Sequence, residues 1–263
     1  MRVIAGLLVA FLILFLGVSS IVFLHDHLSD LAIWNSPLWK AWKVPLIICA
    51  VVLGIALLLY LNYLNTLKNQ KAERELAQAR GWGYCIKGED PEGLIPKILA
   101  NVETACPGYT FSVTGSVMTV PVETGKCHLF PCLYKIHSSK KNHSTGSACL
   151  IESERLRGMR TAVAIDPRTV IDSALTFNKV DMGDTEFSRA YIVSSNDPAE
   201  AQMAVTESMK AMLVDYKNSP EFIGDFEISL GPGGALILNW SQALPDDWLA
   251  LADMARRFAS AMR

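Results

Sequence analysis

Histidine is scarce in this chain: five in 263 residues, two near the N-terminus (His25, His27) and three (His128, His137, His143) in a single stretch. A histidine-based nucleophile relay on the C-terminal side would have to use that stretch. No Gly-x-Ser-x-Gly elbow, His-Glu-x-x-His pair or Walker loop occurs, so nothing marks an elbow-type hydrolase, a zinc protease or a P-loop nucleotidase. An excess of charge of one sign is missing too. The net charge is −2, and residues 65–263 carry 21 basic against 24 acidic side chains, which is no footprint for nucleic acid. Internal repeats, low-complexity tracts and long linkers are also absent.

What the chain does have is two long runs without charge, and a positive mean hydropathy of +0.25. Residues 3–24 and 44–64 are each long enough to cross a hydrocarbon core, which takes about 20 apolar residues. Basic residues set the orientation. Arg2 precedes the first run, and Lys68, Lys71, Arg74 and Arg80 follow the second. The connector balances Lys40 and Lys43 against Asp26 and Asp30. This distribution predicts a multi-pass protein of the cell inner membrane with both termini cytoplasmic. A signal peptide cleaved near Val18-Ser19-Ser20 is the rival for the first run, and it would leave the second span and the cytoplasmic domain in place. In the connector, Leu31, Trp34, Leu38 and Trp42 recur at helical spacing, interrupted by Pro37. They read as an interfacial belt, or as a contact surface for another membrane protein.

The expected organisation is α+β: a two-span transmembrane helical hairpin (1–64), a helical stalk (65–81), and a cytoplasmic mixed α/β soluble domain (82–263) with antiparallel hairpins. Strong helix formers continue past Leu64 until Gly81 and Gly83. Residues 91–103 place Leu94, Ile95, Ile98, Leu99 and Val102 on one helical face. β-Rich runs follow, and 187–194 reads as a strand with Phe187, Tyr191 and Val193 on one side. Asp197-Pro198-Ala199-Glu200 starts a helix that presents Ala201, Val205, Met212, Leu213 and Tyr216. "FEISL" and "ALILNW" flank "GPGG", a hairpin rather than a phosphate loop, because a strand follows and Leu236 stands where a dinucleotide motif needs glycine. The last helix carries Trp248, Leu251, Ala252, Ala255, Ala259 and Met262 on one stripe, with acids first and arginines last.

The richest chemistry lies between Cys127 and Cys149. Cys127 and Cys132 stand at the outer limit of a zinc-knuckle spacing, with His128, His137 and His143 nearby. Five residues along a strand put two sulfurs on opposite faces unless Pro131 bulges it, so a β-hairpin with buried thiols is the expected form. A reducing cytosol keeps Cys85, Cys106, Cys127, Cys132 and Cys149 as thiols, while Cys49 packs within the second run. Lys140 and Lys141 at the tip could touch anionic lipid; Arg155, Arg157 and Arg160 are offset by Glu152 and Glu154. Asp181, Asp184 and Glu186 match no calcium loop. No catalytic, cofactor-binding or metal-ligating residue is nominated, and no cofactor is expected.

Gly81-Trp82-Gly83-Tyr84 after a basic helix, the series Phe187, Tyr191, Val193, Asp197, and a hairpin tyrosine, Tyr134, together resemble a bacterial membrane-anchored protein family of unknown function. The likeness covers 44–263. It implies N-terminal spans followed by a cytoplasmic α+β domain, and it carries no reaction; the cysteine-rich hairpin departs from it. The sequence therefore points to a non-enzymatic binding protein: an accessory, scaffold or assembly subunit of a membrane protein complex. Its partners would be the lipid bilayer and a membrane protein or a second copy, with no nucleic acid. A metal- or thiol-dependent membrane-bound enzyme or sensor using the 127–149 hairpin is the competing class.

Overall fold

The computed structural model describes residues 37–90, 92–137, 143–167, 178–183, 185–219, 226–240 and 247–263. The expected first span (3–24), the connector up to residue 36, the hairpin tip with Lys140 and Lys141, and Asp184 lie outside them. The chain divides into two units, 1–68 and 69–263, taken in turn.

Helix α1 (Pro37–Arg80), whose residues 37–68 are the described part of the first unit, begins at a proline, a residue preorganised for a first helical turn. Residues 37–43, expected as connector, therefore belong to the same helix as the apolar run. Pro45 is accommodated inside it. The described residues hold one helical stretch long and apolar enough to cross a membrane, Val51–Arg80, with hydropathy 1.5 and none of its apolar window buried. The sequence expects two spans; the other lies outside the described residues. Leu53 is 69% exposed and Leu59 65%, so among the described residues most of this stretch of the helix is exposed.

Among the described residues of the second unit, ten strands form one antiparallel sheet: β1 (Gly83–Ile86), β2 (Tyr109–Val113), β3 (Ser116–Val122), β4 (Gly125–Ile136), β5 (Ser144–Ile151), β6 (Val163–Pro167), β7 (Asn178–Val180), β8 (Tyr191–Ser195), β9 (Phe226–Gly231) and β10 (Gly234–Asn239). Their order is β1-β3-β4-β5-β10-β9-β6-β8-β7, and β2 pairs with the far half of β4. Helices are α2 (Leu94–Ala105), α3 (Thr185–Ala190), α4 (Pro198–Ala204), α5 (Glu207–Lys217) and α6 (Asp247–Ala261).

Both faces of the sheet are covered, which explains why its central strands read as nearly continuous apolar runs. On one face Met118, Leu129, Ile151, Ile228, Ile237 and Phe226 meet α3 to α6 and the end of α1 at Ala77. On the other, Phe130, Ala148, Leu150, Leu236 and Leu238 meet α2 through Ile98, Val102 and Ala105, together with Tyr109 and Phe111. The termini of the elements follow local chemistry. Gly81, at φ +66°, ends α1, with the Trp82 amide donating to Ala77 O at 2.8 Å. Asp90 receives the Leu94 and Ile95 amides at 2.8 Å each and so begins α2.

Three expectations change. Phe187 lies on helix α3, not on a strand. Its ring stacks on Tyr191 at 5.4 Å, a four-residue spacing that suits a helical turn running into β8. The helix after Asp197 is two helices: α4 stops at Val205, and Thr206 caps α5 by receiving the Met209 amide at 3.2 Å. Arg256 and Arg257, expected at the end of α6, fall short of its last turn, which holds no basic residue.

Candidate functional site

The thiol hairpin is β4 against β5. Its register sets Leu129 opposite Cys149 and Cys127 opposite Ile151, so Cys127 and Cys149 are diagonal neighbours on the α6 face. Their sulfurs lie 3.1 Å apart as free thiols, both fully buried. Burial pushes the Cys149 thiol well above its ordinary value, and the adjacent sulfur adds to this. Cys132 points to the opposite face, where burial lifts it to about 12. The alternation of an unbulged strand thus separates the two sulfurs of the expected knuckle.

His128 also faces away from the Cys127–Cys149 pair. Its Nδ1 lies 3.1 Å from Thr119 Oγ1 and its Nε2 3.3 Å from Glu152 Oε1. Burial holds its imidazole below the usual value, although Glu152 opposes the shift. A Cys/His relay has no geometry here. His137 is exposed and held by Thr110 Oγ1 at 2.9 Å; His143 is exposed. Among the described residues no group of three or more His, Cys, Asp or Glu could hold a metal ion.

The remaining sequence candidates are structural. Arg155 donates to Met262 O and Met203 O, each at 2.8 Å, and Arg157 pairs with Glu154 at 2.6 Å. The Arg160 amide donates to Glu200 at 2.6 Å. Asp181 receives the Gly183 amide at 2.9 Å, which makes a turn. Glu186 is exposed, and Cys85 is half-buried near Glu89 O at 3.6 Å.

A cluster that the sequence reading missed lies on the α2 face. Asp166 (β6, 0% exposed) and Glu227 (β9, 1%) project from adjacent strands. The register that pairs Ile165 with Ile228 sets them directly opposite one another. Tyr109 Oη donates to Glu227 Oε2 through a short hydrogen bond, and Glu227 Oε1 has no hydrogen-bond partner in the protein. Burial first, and the Asp166 charge second, push Glu227 up to about 8. The same burial, with Glu227 beside them, raises Tyr109 and Cys106. The signal was legible only as an acid inside an apolar run, in "FEISL" and "TAVAID".

Two further features concern attachment. Glu73, near the end of α1, receives Ser116 Oγ in a short bond and Trp248 Nε1 at 3.2 Å, while Tyr84 Oη donates to Gln70 O at 3.1 Å. These bonds fasten residues 70–77 to β1, β3 and α6. Beside them an open groove of about 540 Å³ is lined by Pro121, Val122, Glu123, Arg256, Arg257 and Ser260. Arg256 lies over the Trp82 ring at 5.6 Å. Arg257 pairs with Asp253 at 3.0 Å, and Glu123 receives Ser260 Oγ at 3.1 Å and Arg263 at 2.9 Å.

No protein-family model matches this chain, and no curated protein does. Among solved structures it is similar to the crystal structure of the mycobacterial trehalose monomycolate transport factor A, TtfA, at 13% identity and a TM-score of 0.45. That alignment covers 74% of this chain and 94% of the other.

Proposed function

We propose that this protein is a membrane-anchored binding subunit, an accessory, scaffold or assembly component of a membrane protein complex. In this reading runs 3–24 and 44–64 form a two-span hairpin in the inner membrane, and both termini and the sheet domain are cytoplasmic. The observation that carries it is helix α1. Its apolar flank, from Ile48 to Leu67, is exposed, whereas its last turns are bonded into the sheet domain through Glu73 and Ala77. Fully burying one leucine contributes about 2 kcal/mol, so a row of them left in water would be strongly unfavourable. Lipid, or another membrane helix, is the environment that removes the cost. Cys127, Cys132, Cys149, Asp166 and Glu227, by contrast, are buried in the two cores of the domain. A groove beside Arg256 gives it a concave surface for a partner.

The test is extraction from native membranes in mild detergent, with the intact complex weighed by mass spectrometry. A stoichiometric protein partner, lost when Arg256 becomes Glu, is the expected result. A bare monomer would overturn the reading.

One observation favours a second reading, a thiol sensor: the 3.1 Å approach of Cys127 and Cys149. Oxidation would join the two sulfurs, releasing two protons and passing two electrons to a disulfide-class oxidant. Treating the full chain with diamide and counting free thiols tests it. Loss of two thiols that is abolished in Cys127→Ser supports the sensor; unchanged thiols overturn it.

A further inference from the structure

The groove between the end of β3 and α6 is lined by three charged side chains, Glu123, Arg256 and Arg257, and two of them are already engaged. Arg257 pairs with Asp253 at 3.0 Å. Glu123 receives Ser260 Oγ at 3.1 Å and Arg263 Nη2 at 2.9 Å. Arg256 differs from both. Among the described residues no carboxylate pairs with it, and its guanidinium carbon lies 5.6 Å from the centre of the Trp82 ring. That ring is itself fixed: Trp82 is 7% exposed, and its amide donates to Ala77 O at 2.8 Å. Stacking uses the flat face of a guanidinium, whereas its five N–H donors lie in the plane and stay available. Arg256 is therefore a half-buried cation, held in place beside a concave surface with its donor fork open.

We propose that this groove receives an extended segment of a partner protein, which presents one Asp or Glu carboxylate to Arg256 and an apolar side chain to Pro121 and Val122. This deepens the binding-subunit reading, on which it rests, by naming the chemistry of the partner.

Charge decides the class of ligand. One unpaired guanidinium matches one carboxylate, which its fork can meet with two parallel hydrogen bonds. A phosphate monoester carries nearly two negative charges and would face Glu123 in the same groove. An anionic membrane surface is recognised by clusters of roughly four to eight basic residues. The groove has two, and one of those is paired.

Shape decides between a small acid and a chain. A site for a small molecule encloses most of its ligand. This groove is open, so a small acid would stay largely in water, while a chain laid along it adds contacts on both sides of the carboxylate. Pro121 is exposed, Val122 half-buried, and together they give the segment an apolar wall. Pro121 also has no amide hydrogen to donate to an added strand, so the segment is read through its side chains rather than by extending the sheet.

The experiment presents the full chain, in detergent micelles, to a displayed library of random short peptides. Selected peptides are synthesised with a fluorescent label, and their affinities are measured by anisotropy. The expected peptides share one acidic residue flanked by apolar ones. Changing that acid to its amide, or Arg256→Gln in the protein, should weaken binding by about tenfold or more. Charge reversal guards against a folding defect: Arg256→Glu should lose the acidic peptide and bind its lysine twin. Selection of no peptide, absence of a shared acid, or equal binding to Arg256→Gln would overturn the assignment. So would displacement of the bound peptide, at constant ionic strength, by inorganic phosphate or by phosphatidylglycerol vesicles, which would give the groove to a phosphate group or to lipid. Failure of the binding-subunit reading shows elsewhere, as a bare monomer from native membranes.

Discussion

Gly233 is the residue at which the packing of α2 on the sheet tolerates least change. Its missing side chain leaves room for Asn101 O, and a Cβ there would stand 1.9 Å from that oxygen and 2.3 Å from Thr104 Oγ1. Backbone cannot yield as a flexible side-chain tip can, so Gly233→Ala is expected to cost about 1–3 kcal/mol, the range of overpacking. Urea unfolding of the full chain in detergent checks this; a midpoint unchanged from wild type would count against it. The sequence reading rejected a phosphate role for these glycines and assigned a turn, which the β9–β10 hairpin is. The second demand on Gly233, room for a helix that ends 128 residues earlier, arises from a tertiary approach and leaves no local trace. Glu227 was illegible for the same reason: its strand pattern is ordinary, and only the arrival of Asp166, Tyr109 and α2 on that face makes it a buried acid. The separation of Cys127 from Cys132 was legible, because strand alternation is local.

At the scale of elements, period and caps were the readable signals, and they failed where two of them competed. Strand propensity in "FSRAYIVS" holds for Tyr191 to Ser195, but Phe187 is taken into a helical turn by stacking on Tyr191. Between α4 and α5 an apolar stripe at helical spacing hid a break that Thr206 enforces, its hydroxyl receiving the Met209 amide and donating to Ala261 O at 3.1 Å. Thr206 thus starts one helix and ties it to the end of α6. Thr206→Ala removes an N-cap and an inter-helix bond together, and a loss of about 1–2 kcal/mol is expected. Thr206→Ser keeps both bonds and should restore most of it. A thermal melt of the two variants beside wild type separates the cap from the methyl group; equal losses in both would assign the effect to packing instead.

For the whole molecule, the proposed anchoring raises the question of which side of the membrane the sheet domain occupies. Two considerations bear on the proposed cytoplasmic side. Lys68, Lys71, Arg74 and Arg80 follow the apolar run closely, and basic residues near a span are retained inside. On that side a reducing cytosol would keep the six cysteines, Cys127 and Cys149 included, as thiols. These considerations converge on one measurement. Protease added to right-side-out spheroplasts should leave the domain intact, and the same protease added to inverted membrane vesicles should digest its exposed loops. A sealed, well-packed sheet resists proteolysis in either case, so a cleavage sequence inserted after Gly158, an exposed turn residue with open space around it, makes the readout independent of stability. Cutting at that site in intact spheroplasts would place the domain outside and would remove the reducing environment on which the free-thiol argument depends.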